Sequence, residues 1–233
     1  NHLIGPGSVA VISRRYGEKE YDKAEKAIKE TLILKFFFGA IFSILGVVFM
    51  RDALRFMGAE GEVAELAAQF GVVMLIGMPI LFVTYSMFTA MRGVANPHSA
   101  MVLMLGSTAL NLALDPWLIF GGFGLPPLGI RGAAIASVSS FTLAFLAALY
   151  LFGTGRTNVR LHLKGRDPVT LQSMWILIRI GIPAWLGEMS FSLSRLMITP
   201  MIAHFGTPVV AAYGVGNQVF GLGIAILVGI GLG

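Results

Sequence analysis

Residues 100–120 read AMVLMLGSTALNLALDPWLIF, an apolar run whose one ionisable side chain, Asp115, sits near the far end. About 20 predominantly apolar residues are what an α-helix needs to cross the hydrocarbon core of a bilayer, so this stretch predicts a membrane-spanning helix and an all-α fold. A carboxylate placed there costs at least about 2.5 kcal/mol on insertion scales, which is why such residues face a partner, a water-filled cavity or a proton path. Asp115 is therefore the first functional candidate. Asn111 lies one turn earlier on the same face, and Pro116 lacks an N–H, which frees the carbonyl of Leu112. The competing reading is structural: Asp115 ends or re-caps a helix near the headgroups, packed against Trp117.

The rest of the chain has the same character. Hydrophobic residues make up 56% of 233 positions, charged ones 12%, and mean hydropathy is +0.79. Soluble domains are roughly one quarter charged, so this composition predicts an integral membrane protein, multi-pass, in a cell membrane. Seventeen Lys and Arg against twelve acids would suggest nucleic acid in a soluble protein. Here the bases crowd into two loops, which orientation in a bilayer explains, and no nucleic-acid partner is expected. The absence of cysteine excludes disulfides, thiolate catalysis and Cys-ligated zinc. His2, His98, His162 and His204 are scattered over span ends and loops, and neither His-Glu-x-x-His nor Gly-x-Ser-x-Gly occurs. No catalytic residue, metal centre or cofactor is expected, and an intramembrane enzyme is the least supported class.

Taken in order, residues 1–13 are too short to cross and read as the last half of a span, leaving the membrane at Ser13-Arg14-Arg15; the chain therefore reads as a fragment. Tyr16 to Glu30 mixes acids and bases as a water-facing connecting helix would. Complete spans are expected at 31–50, 66–91, 100–120, 129–152, within 171–205 and at 208–233, with Lys35 one turn inside the first and able to snorkel. Small residues from Gly129 to Ser137 predict a helix that packs closely on a neighbour. The polar stretch 154–170 is the natural linker between a bundle at 1–153 and the start of a second at 171–233. A faint echo of Leu3-Ile4-Gly5-Pro6-Gly7 in Leu227-Val228-Gly229-Ile230-Gly231 fits a duplicated transporter.

Alternate loops divide the bases unevenly. Twelve fall on one side, from Arg14 through Arg92 to Arg166, and three on the other, Arg51, Arg55 and Arg131, which predicts that the base-rich side is cytoplasmic. On that alternation Asp115 lies about 9 Å below the outer end of its helix, and Ser137 is about as deep on the next one.

Several motifs together resemble one family. Ile12-Ser13-Arg14-Arg15-Tyr16-Gly17 with Ala24, Arg92-Gly93 with Asn96-Pro97, Asn111 through Pro116, Gly129 through Ala136, and Ile182-Pro183-Ala184 with Phe205-Gly206 and Ala211-Ala212 are similar, in order, to the multidrug and toxic compound extrusion (MATE) transporters. The resemblance covers essentially the whole chain and corresponds to the second through the eighth helices. It implies a polytopic helical bundle, part of a two-lobe architecture of six plus six helices, acting as a monomeric antiporter. Cationic or amphiphilic compounds would be exported against inward H+ or Na+ flow. Asp115 and Asn111 match the pair that binds the coupling cation, proton or sodium, and Ser137 stands where archaeal members have threonine. Glu188 resembles an acid that some members carry on the seventh helix; its structural alternative is a pair with Arg195 or a neighbouring helix. Phe88 stands where some archaeal members have asparagine, so cation coordination is expected to differ. The nearest rival function is a lipid or lipid-linked sugar flippase of the same superfamily. Such flippases line their central cavity with several bases, whereas the intramembrane candidates here are Lys35, Arg179 and Arg195.

Overall fold

The computed structural model describes residues 5–122, 126–162 and 171–231, as seven α-helices. They are α1 (Gly5–Gly17), α2 (Tyr21–Phe56), α3 (Gly61–Gly93), α4 (Pro97–Phe120), α5 (Ile130–Thr154), α6 (Leu171–Ala203) and α7 (Thr207–Gly231). Four of them, α2 to α5, are long and apolar enough to cross a membrane. Phe37, Ile44, Val48, Ile76 and Leu105 are each at least 60% exposed, as side chains facing lipid would be.

Close approach of backbones sets the packing. A Cβ on Gly39 of α2 would come within 2.7 Å of Pro79 Cα on α3, so the proline that interrupts α3 lies against the one residue type that admits it. α3 also packs on α5, where Thr84 Oγ1 donates to Ile80 O of its own helix at 2.8 Å and approaches Phe141 O of α5 at 3.4 Å. Buried hydrophobics gather at the base-rich end: Ile12, Ile28, Met87, Met91, Val94, Phe152 and Val159 all belong to one core.

Three expectations change here. Residues 16–30 do not form a separate water-facing helix. The chain turns at Lys19 (φ +61°) and α2 then runs unbroken from Tyr21 into the membrane, burying Ala24, Ala27, Ile28 and Glu30 on one face. Lys35 does not snorkel. It is 2% exposed, and its ammonium lies 4.0 Å from where a Cβ of Gly5 would be, because its face of α2 points at α1 instead of at lipid. The first part of the expected linker is bound down as well: Val159 and Leu161 are buried, and Asn158 Nδ2 donates to Val94 O at 2.9 Å and Ala95 O at 3.2 Å in the α3–α4 turn. Residues 163–170 and much of the Leu3–Gly7 echo lie outside the described residues.

Candidate functional site

α4 carries Asn111 and Asp115, and its start is well defined. Asn96 Oδ1 accepts from Ser99 N at 3.2 Å with Pro97 in the first turn, so the helix begins at a polar cap and runs on to Phe120. Asp115 is thus an interior residue of α4, five before its end, and does not terminate it. Pro116 is absorbed without breaking the helix.

α5 is brought against this face by Gly132. A Cβ there would collide with the carbonyl of Leu118, and the same region is tied by Leu128 N to Leu118 O and Gly129 N to Ile119 O, both 3.1 Å. Gly132 leaves room for two helix backbones to touch, and Ser137, little more than one turn further on, arrives at the level of Asn111. The Asn111 side-chain nitrogen lies 3.3 Å from Ser137 Oγ and 3.4 Å from Asp115 Oδ1. Both distances are at the long end for a hydrogen bond, and all three residues are half-buried. The predicted trio is therefore one cluster, held by an amide that touches both oxygen-bearing partners.

Two other positions singled out in the sequence, Phe88 and the candidate Glu188, do not join it. Phe88 is 1% exposed in the core near the base-rich end of α3, about 20 Å from the depth of Asp115 by helical rise. α3 instead meets the level of Ser137 at Gly77, where Val138 fills the space a Cβ would take. Glu188 is on α6, which among the described residues packs on α1, α2 and α7 and not on α4 or α5; the side chains of Glu188 and Arg195 lie outside those described. Among the described residues no group of three or more His, Cys, Asp or Glu converges as a metal cluster.

One polar constellation was missed in the sequence. Glu25, on the part of α2 outside the membrane, takes Lys29 Nζ at 2.7 Å, His162 N at 2.6 Å and His162 Nδ1 at 3.1 Å. Burial opposes the charged form of Glu25. The hydrogen bonds from Lys29 and His162, with the charge of Lys29, outweigh that and hold the carboxyl below its usual range. Only the Glu25/Lys29 spacing was visible beforehand; a contact spanning 137 residues leaves no local signal.

A bundle of long apolar helices with a half-buried carboxyl–amide–hydroxyl group between two of them is a multi-pass membrane protein. Similarity to known proteins narrows that class to a family. The MatE family model matches residues 2–117. Probable multidrug resistance protein YoeA of Bacillus subtilis (strain 168) is 32% identical over 222 residues, 93% of this chain and 47% of that protein. Multidrug export protein MepA of Staphylococcus aureus (strain MRSA252) is 27% identical over 229 residues, 98% of this chain and 50% of that one. An inward-facing multidrug resistance MATE family transporter of the MOP superfamily superposes with a TM-score of 0.85 at 27% identity, over 96% of this chain and 50% of that structure. The chain belongs to the MATE family, and it spans about half the length of these relatives.

Proposed function

We propose that the protein is a secondary active antiporter, not an enzyme, which exports cationic or amphiphilic compounds against inward flow of H+ or Na+. The base-rich helix ends face the cytoplasm, and Asp115 is the coupling carboxyl. The observation that carries this reading is the position of the Asn111 amide between Asp115 and Ser137. With its nitrogen toward both, the amide supports the carboxylate and leaves it open to a proton. A half-turn of the amide presents the carbonyl oxygen instead, and carboxylate, carbonyl and hydroxyl oxygens together form a hard-ligand set suited to Na+ as the transported ion. Either cation neutralises the carboxylate and lowers the cost of enclosing it. Glu188 is the candidate acid for the second lobe.

That the relatives are named for multidrug resistance and multidrug export supports drug efflux. A lipid or lipid-linked sugar flippase has less support, because Lys35 is buried toward α1 and Arg179 is exposed, so these two bases do not converge on a shared interior.

Asp115→Asn in the full-length protein tests the reading in proteoliposomes. The substitution keeps the shape and removes the titration, so substrate binding should survive while export driven by a proton or sodium gradient falls at least about a hundredfold, the consequence of removing an essential coupling group. Export with unchanged dependence on pH and sodium would reduce Asp115 to a structural residue.

A further inference from the structure

At the end of the bundle that carries the 51–60 loop, a cavity of about 630 Å³ opens between α2, α3 and the first turn of α5. Arg51 reaches it from α2 and Arg131 from α5, with Glu65 and Gln69 of α3 beside them. Among the described residues neither guanidinium has an ion pair, while Glu65 accepts only the neutral amide of Gln69, at 3.2 Å. One turn deeper, about 5 Å by helical rise, the wall becomes apolar at Val48 and Val72. The cavity is thus cationic at its mouth and hydrocarbon-like below, in the order in which a bilayer presents headgroup and acyl chain.

We propose that this cavity binds a phospholipid of the adjacent leaflet through its phosphate diester, with Arg51 and Arg131 on the phosphate oxygens and an acyl chain along the Val48–Val72 wall. Planar guanidinium forks match phosphate oxygens in pairs, and two of them arriving from different helices hold α2 and α5 together through the bound lipid. The volume falls within the roughly 300–1,000 Å³ typical of small-molecule sites. A free inorganic anion has no use for the apolar wall. A cationic cargo is disfavoured by two arginines against one carboxylate. This site lies apart from the Asp115 cluster and does not depend on how that cluster works.

Native mass spectrometry of the full-length protein, titrated with phosphatidylglycerol in detergent, tests the assignment. Wild type should retain a lipid adduct. R51Q/R131Q should weaken it at least about tenfold, the scale of one lost charge-assisted hydrogen bond. R51K/R131K, with the charges kept and the forks removed, should fall between. Val72→Trp fills the apolar floor while leaving both arginines, and it should also lose the adduct, which keeps the test decisive if the double arginine variant does not fold. Retention of the adduct in R51Q/R131Q or in Val72→Trp would overturn the proposal. So would its displacement from wild type by millimolar inorganic phosphate, which would reveal a simple anion site.

Discussion

The two ends of the helical bundle are built on different terms. At the base-rich end the chain is closed: Ile28, Met91, Val94 and Phe152 are 0% exposed, Asn158 fastens the segment after α5 to the α3–α4 turn, and Glu25 holds His162 through backbone and ring. At the other end Phe56 and Phe120 are 57% and 77% exposed, and the polar trio of Asn111, Asp115 and Ser137 is joined by contacts of 3.3 and 3.4 Å. Short, multiply supported contacts resist rearrangement, whereas long, half-buried ones can be exchanged at little cost. Close packing is concentrated at one end and the proposed coupling site lies at the other, so a substitution should affect mainly one of the two.

Gly132 is the exception that joins them, and it should show the largest effect. Any side chain there meets the Leu118 carbonyl, which belongs to a helix backbone and cannot turn aside. Gly132→Ala should cost about 3 kcal/mol by forcing α4 and α5 apart, near the upper end for overpacking. It should also separate Ser137 from Asn111. Thermal unfolding in detergent together with sodium- or proton-driven export measures both consequences. An unchanged melting temperature with intact coupling would show that close contact of the helices is not what assembles the cluster.

Next in size is Glu25→Gln, which should leave the polar trio untouched. The substitution removes the charge that Lys29 and His162 address, at about 1.5 kcal/mol for a charge-assisted hydrogen bond, and hydrogen exchange at the His162 amide should accelerate about tenfold. The pH dependence has a definite sign. A carboxyl held below the ordinary glutamate value of 4.5 contributes its stability in full above that value and loses it as pH falls through the lower folded one. His162 amide protection in the wild type should therefore be flat from neutral pH to about 5 and collapse only in more acid solution. Protection that already fails near pH 6 would mean that another group holds the segment.

How much of this was legible in the sequence depends on the distance a signal has to travel. Asp115 inside an apolar run announces a membrane helix and a candidate site together, because its cost in hydrocarbon is a local property. Asn111 follows from helical spacing, and Ser137 from counting depth along an antiparallel neighbour. The crossings that place these residues are less visible. The small residues after Gly129 foretell close packing, but not that Leu118 is the contact. Lys35 was misjudged because hydropathy locates a residue along a helix and says nothing of its azimuth. The turns after α5 read as a linker because they are polar, yet Asn158 and His162 spend that polarity on distant backbone and on Glu25. Phe88 was matched to a family asparagine by likeness of pattern, and its depth on α3 sets that position apart from the cluster.

The smallest effect on stability is expected at Ser137, and it is the sharpest test of the contrast between the two ends. Ser137→Ala removes one hydroxyl whose partner among the described residues is the Asn111 amide, at 3.3 Å. Polar contacts between membrane helices average about 0.6 kcal/mol, so unfolding should shift by little more than a degree or two. The same hydroxyl supplies one of the few oxygens available to a cation beside Asp115. Its loss should raise the half-saturating sodium or proton concentration for export several-fold, and Ser137→Thr, which keeps the oxygen, should restore it. A functional loss with a negligible stability change would confirm that the cluster serves ion coupling and not assembly. Had Ser137→Ala instead destabilised the protein as much as Glu25→Gln and left ion dependence unchanged, the trio would be one more structural contact, and the division between a fastened end and a reactive one would fail.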